Sequence, residues 1–280
     1  MVASPPLTTT SFLPEGEPLS PLFEDAALPR FALPGALESA YGGGLGFERP
    51  RAFANFVSSV DGVAAFPDRG ESGHVVSGGN AADRFVMGLL RACADTVLVA
   101  AGTFRKTPGA RWTADAIYPA GAAHFAEARR ALGLATAPRF VLLTGSGDLD
   151  ATGPALEDAL VVTTANGRAR LAGKLPATAR VLTVASDPIR LEDVVARLAA
   201  EGTRLLLAEG GPSLLSELVR GRLLDELFLT ISPTLFGRFP DDHRKSIADG
   251  ADLGGVPMHL LSARRHRSFL FLRYGIPRRA

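Results

Sequence analysis

Short apolar runs that recur along the chain and end in polar or glycine-rich turns constrain its fold more than any other feature. They are "DTVLVAAG" (95–102), "RFVLLTGSG" (139–147), "ALVVTTANG" (159–167), "RVLTVAS" (180–186) and "TRLLLAEGG" (203–211). Runs of Val and Leu without polar alternation fit strands buried on both faces. Helical patterns lie between them. "NAADRFVMGLLRAC" (80–93) has Asn80 as N-cap and Asp83 in its first turn. In 119–133, Phe125, Ala128 and Leu132 fall at helical spacing. "RLEDVVARLAAEG" (190–202) gathers Leu191, Val194, Val195 and Leu198 on one face and stops at Gly202. "PSLLSELVRG" (212–221) follows the last apolar run. The alternation predicts an α/β fold: a mostly parallel sheet flanked by helices.

Both ends of the pattern differ. "RAFANFV" (51–57) and "DELFLTISPTLFG" (225–237) read as further strands, and "HLLSARRHRSFLFLRYG" (259–275) as an antiparallel closing hairpin. Residues 1–35 are rich in Pro, Ser and Thr, and "LPGALESAY" offers one short helix before "GGGLG" (42–46). Residues 1–50 are therefore expected to form a partly irregular arm, and 51–280 the packed domain. No internal repeat is visible.

Composition narrows the function. A net charge of +1 over 280 residues argues against a nucleic-acid binder. Lys106, Lys174 and Lys245 are the only lysines. The arginines Arg264, Arg265, Arg267, Arg273, Arg278 and Arg279 read as a solvated strand face and terminus. Cys93 is the only cysteine, which excludes an internal disulfide and a Cys-based zinc site and suits a reducing cytoplasm. His74, His124, His243, His259 and His266 show no metal-ligand spacing. No apolar stretch reaches the roughly 18 residues of a membrane helix, and the N-terminus does not read as a secretory signal.

Ligands of open α/β sheets bind at the carboxyl ends of strands. The residues that follow the strands here are "SSVDG" (58–62), "GTFRK" (102–106), "TGSG" (144–147), "ANG" (165–167) and "EGGPS" (209–213). "TGSG" reads equally as a tight turn or as a phosphate cradle. In "EGGPS", Pro212 suits the first helical position, and Gly210 and Gly211 let a ligand approach the helix N-terminus. Glu209 ends a buried strand, where a carboxylate needs a partner or a task. A capping turn with a solvated Glu is the plain alternative. Trp112, in "GARWTADAIYP", reads equally as pocket wall or packing. No G-x-G-x-x-G opens a helix early in the chain, and no P-loop pattern occurs.

Taken together, "ANFVSSVDGVAA", "LLRACADTVLVAAGTFRK" and "LLLAEGGPSLLSELVRGRLLDELFLTISPTLFG" resemble the dihydrofolate-reductase-like reductases of riboflavin biosynthesis, which form the C-terminal domain of the bifunctional deaminase/reductase. The likeness spans roughly residues 51–274. It implies NADPH-dependent reduction of a 5-phosphoribosylamino-pyrimidine to its ribitylamino form, with a hydride passed to C1′ of the open-chain imine. It also implies a homodimer, to which the apolar 225–237 strand is a candidate contributor, although an inner strand would look the same. By the same resemblance, Asp61 and Glu209 face the substrate as catalytic positions. Asn55, Ser59, Ser72 and His74 bind it, and Arg91 holds its phosphate, for which a guanidinium fork is suited. Ala54, Gly102, Thr103, Thr144, Ser146, Gly210, Gly211 and Leu214 line the cofactor.

The chain departs from the family in two ways. The zinc signature of the deaminase half is absent. The usual "DPxLTVR" is replaced by "KTPGARWTADAIYPAG", in which Arg111 and Lys106, with Arg105 before it, are candidate replacements for the lost charge. The rival readings are the same fold reducing a different heterocycle or imine, and a nucleotide-binding module without turnover. Retention of Asp61, Arg91 and Glu209 counts against the latter.

Overall fold

The computed structural model describes residues 12–277 except Pro108, Pro240 and Asp242. Residues 1–11 of the expected arm, and Arg278 and Arg279 of the basic tail, lie outside the described residues. The strands are β1 (Ser20–Glu24), β2 (Arg51–Ser59), β3 (Thr96–Ala100), β4 (Arg139–Thr144), β5 (Leu160–Thr163), β6 (Arg180–Thr183), β7 (Leu205–Ala208), β8 (Glu226–Ser232), β9 (His259–His266) and β10 (Phe269–Gly275). The helices are α1 (Gly35–Tyr41), α2 (Ser72–Ser77), α3 (Ala81–Cys93), α4 (Ala101–Lys106), α5 (Ala114–Ile117), α6 (Ala122–Ala131), α7 (Ala165–Leu171), α8 (Leu191–Ala200) and α9 (Pro212–Arg220).

One sheet runs β1-β9-β10-β8-β2-β7-β3-β4-β5-β6. From β8 to β6 every pairing is parallel; β8–β10, β10–β9 and β9–β1 are antiparallel. This is the mixed sheet that the sequence predicts. The unbroken apolar runs split by the period of two. Val97, Val99, Leu142, Val161 and Leu207 pack on one face with α3 and α6. Leu98, Val141, Val162, Leu206 and Ala208 pack on the other with α8 and α9. Asn80 caps α3 as expected, its Oδ1 accepting from Asp83 N at 3.0 Å.

Two expectations are corrected. Residues 12–50 are not a loose arm. β1 extends the sheet, and Phe12, Leu19, Leu37, Tyr41, Leu45 and Phe47 belong to the main core. Arg264 and Arg273 are not solvated; at 1% and 3% exposure they pin that segment down. Arg264 bonds Glu24, donates to Tyr41 O at 2.9 Å and lies over the Tyr41 ring at 3.9 Å. Arg273 pairs with Glu226 at 2.7 Å and donates to Gly46 O at 2.8 Å. Of the two readings of the 225–237 strand, the structure shows the inner one: β8 lies between β10 and β2.

Helices at strand exits also exceed what the sequence patterns predict. "ANG" opens α7, whose N-cap Thr164 accepts from Gly167 N at 3.2 Å. α4 starts directly after β3. Among the described residues no helix is long and apolar enough to cross a membrane.

Candidate active site

Insertion of β7 between β2 and β3 brings together three strand exits that are distant in sequence. There the structure opens a cleft of about 810 Å³, walled by the ends of these strands and by α2, α3, α4, α5 and the start of α9. Of the residues expected at the site, Asn55, Ser72, His74, Arg91, Gly102, Thr103, Glu209, Gly210, Gly211 and Leu214 line this cleft.

Glu209 and Arg91 form its most buried pair. Arg91 sits in the last turn of α3 and donates from Nε to Glu209 Oε2 at 2.8 Å, with Nη2 in an ion pair to the same oxygen at 2.6 Å. Its Nη1 reaches the carbonyls of Thr113 at 3.2 Å and Arg111 at 3.5 Å. All three guanidinium nitrogens are thus engaged by protein, which leaves Arg91 no free fork for the phosphate that the resemblance assigns to it. Glu209 Oε1 and Asn55 Oδ1 are buried without a hydrogen-bond partner among the described residues. Both residues line the cleft, so a bound donor would complete them. The end of α3 that carries Arg91 is fixed by Arg129 of α6. Its Nη1 reaches the carbonyls of Arg91, Ala92 and Ala94 at 2.9, 3.2 and 2.8 Å. Burial lowers the Arg129 pKa to about 10, which leaves it a cation.

The glycines at the β7 exit have different causes. A Cβ on Gly210 would lie 2.3 Å from Leu214 Cδ2 and 3.1 Å from its Cβ, so any side chain there displaces Leu214 of α9. A Cβ on Gly211 would sit 3.4 Å from Thr103 Oγ1, an ordinary contact. At Gly102, also on the cleft wall, a Cβ meets nothing within 4 Å and would project into open space.

The structure places five expected residues elsewhere. Asp61 is a loop anchor. Its carboxylate accepts from Ser59 Oγ at 2.5 Å, Gly237 N at 2.7 Å and Phe236 N at 3.1 Å. The Ser59 hydroxyl, and then these backbone donors, lower its pKa. Ser59 also accepts from Val63 N at 2.8 Å, so its hydroxyl serves the same turn. Ala54 is buried in the core beneath α9. Thr144 and Ser146 occupy the β4 exit, where their hydroxyls accept from Gly147 N at 3.1 Å and Asp148 N at 3.2 Å. "TGSG" is a tight turn packed on the next strand exit: Gly147 has φ 67°, and its Cβ would lie 2.5 Å from Gly167 O.

The segment that departs from the family forms a cleft wall. Trp112 is both wall and packing, stacking on Phe140 with centroids 4.8 Å apart. Lys106 and Arg111 line the cleft; Arg105 does not, and donates to Asp148 O at 2.8 Å. The sequence reading missed Asp83 as a site residue. In the sequence it reads as a helix-start acid, yet it is 4% exposed and lines the cleft. Burial pushes its carboxyl up to about 6, and the nearby Glu209 charge adds to this; the Thr230 and Ser77 hydroxyls and Arg84 partly offset it. Its spacing from Arg91, two helical repeats on one face of α3, was the available signal. Among the described residues no three His, Cys, Asp or Glu side chains gather as a metal site.

The family model described as the RibD C-terminal domain matches residues 50–264. A pyrimidine reductase-like protein from Corynebacterium diphtheriae superposes with TM-score 0.67 at 22% identity, over 89% of this chain and 96% of that one. RibD from Acinetobacter baumannii gives 0.61 at 19% identity, over 87% of this chain and 61% of that one. The yeast riboflavin biosynthesis reductase Rib7 gives 0.55 at 14% identity, over 88% and 95%. At these identities the superpositions establish the fold. No curated protein matches the chain.

Proposed function

The chain belongs to the RibD C-terminal domain family, and from that premise we propose that it is an NADPH-dependent reductase acting on a 5-phosphoribosylamino-pyrimidine. The observation that carries this reading is the buried Arg91–Glu209 pair on the wall of the 810 Å³ cleft, with one carboxylate oxygen held in place and unpartnered. A protein that merely stores a nucleotide needs no such costly group.

The residues fit the dinucleotide. Open space over Gly102, the hydroxyl of Thr103 and the N-terminus of α9 behind Gly211 offer backbone and hydroxyl donors along one wall. The cofactor would supply a hydride. Glu209 Oε1, on a carboxylate held by Arg91, and Asn55 Oδ1 are the two unpartnered acceptors of cleft residues, and a donor-bearing ring would orient against them. Lys106, Arg84 and Lys245 put positive charge on the cleft wall for a phosphate. Trp112 and Met87 exclude water beside them.

A second reading has its own support. The wall built from residues 106–117 replaces the family segment, so the same chemistry on another small imine or heterocycle fits as well. The deciding experiment mixes protein, NADPH and the phosphoribosylamino-pyrimidine and follows nicotinamide absorbance. Oxidation supports the first reading. NADPH binding without oxidation favours the second, and no NADPH binding defeats both.

A further inference from the structure

We propose that Asp83 carries the proton that reaches the substrate nitrogen during reduction, while Glu209 stays the ionised partner of Arg91. This deepens the proposed function and rests on it.

The site holds two buried carboxyl groups in contrasting surroundings. Glu209 has a guanidinium at 2.6 Å; Asp83 has no ion pair among the described residues. Asp83, Met87 and Arg91 recur at four-residue steps along α3 and all line the cleft. The charges that act on Asp83 are Arg84 of its own helix and Glu209 after β7; the other charged or titratable groups on the cleft walls are Glu71 and His74 by α2, Arg91 on α3, Lys106 and Arg111 on and after α4, and Lys245. Thr230 of β8 and Ser77 of α2 place hydroxyls beside it. Burial, first, and the Glu209 charge, second, keep the proton on Asp83 up to about pH 6, within reach of a neutral operating pH. A protonated acid and an ionised carboxylate on the walls of one cleft are the arrangement that proton donation with charge stabilisation needs.

The step balances. The substrate C=N bond becomes a CH–NH single bond: carbon takes the hydride of the reduced nicotinamide dinucleotide, and nitrogen takes the Asp83 proton. The nicotinamide leaves oxidised, and Asp83 is left as a carboxylate that water reprotonates.

The test combines carboxyl NMR of protein labelled with carbon-13 aspartate with kinetics of Asp83→Asn and Asp83→Glu. The proposal expects one aspartate titrating near 6 in wild type and missing in D83N. It expects a wild-type rate that declines above pH 6, and in D83N a turnover at least tenfold lower without that decline and NADPH affinity within twofold by fluorescence. D83E recovers part of the rate. An aspartate set that titrates wholly in the ordinary range overturns it, as does D83N with wild-type turnover and pH profile. Wild type that binds NADPH but fails to oxidise it with the pyrimidine defeats the substrate reading alone. The titration then decides for Asp83 if one value is raised, and against it if none is.

Discussion

Arg91 places two nitrogens on a single oxygen of Glu209, at 2.8 and 2.6 Å, and leaves the other oxygen buried without a partner. A fork closed over both oxygens would be a finished structural pair. This one is finished on one side only. Glu209→Gln keeps the shape and is expected to lower turnover at least tenfold, about 1.4 kcal/mol of transition-state stabilisation. Arg91→Ala strands a buried carboxylate and should cost about 3–5 kcal/mol of stability in urea unfolding, in addition to any rise in KM. A fully stable R91A would show that the pair is not coupled.

The two glycines should separate in mutagenesis. Gly210→Ala drives a methyl into Leu214 and is expected to cost about 1–3 kcal/mol by thermal unfolding. Gly211→Ala has room against Thr103, so its stability should stay within about 0.5 kcal/mol while NADPH affinity falls. Unchanged affinity in G211A would remove that backbone from the cofactor wall.

Asp83 makes stability depend on pH in an unusual direction. Its native pKa of about 6 exceeds the ordinary value of 3.8, so between those values the native state holds more protons than the unfolded one. Its contribution to stability therefore falls as pH rises through that window, by on the order of 2–3 kcal/mol. Asp83→Asn should abolish the fall. Urea midpoints of both proteins at pH 4.5 and 7.5 measure it; parallel changes in the two would contradict the assignment.

Asp61→Ala tests the loop-anchor role. Loss of three hydrogen bonds at the 236–237 turn should destabilise by about 1–2 kcal/mol and leave turnover within threefold. Because the Asp61 pKa is lowered, its contribution is present above pH 4 and disappears as acid protonates it, so wild type and variant should converge in stability at low pH. A hundredfold loss of turnover in D61A would restore it to the chemistry.

Arg129→Met removes a cation that serves three carbonyls at the end of α3. A loss of about 2–4 kcal/mol is expected from the unsatisfied buried acceptors. Hydrogen exchange should locate it in the last turn of α3, beside Arg91.

The parallel sheet was legible because strands buried on both faces show continuous Val and Leu, and helices show period 3.6. The antiparallel end was legible because no helical pattern intervenes. The N-terminal segment was not: its apolar residues are spaced irregularly around Pro and Gly, and its order comes from Arg264 and Arg273, more than 200 residues away. Glu209 stood out because a carboxylate ending a buried strand violates the local pattern. Asp83 did not, because an acid near a helix start is locally favourable and its burial is tertiary. Asp61 shows the reverse: a turn Asp is locally normal, and it proved to serve the turn.

Glu24 meets Arg264 across 240 residues of sequence. At a synthesis rate of 5–20 residues per second, that separation is roughly ten to fifty seconds. During this time the nascent β1 and α1 have been made, while the strand and guanidinium that hold them have not. Leu19, Leu37, Leu45 and Phe47, which share the main core, belong to the segment that this contact holds. The native seating of the N-terminal segment therefore waits for β9, the last strand but one to be made.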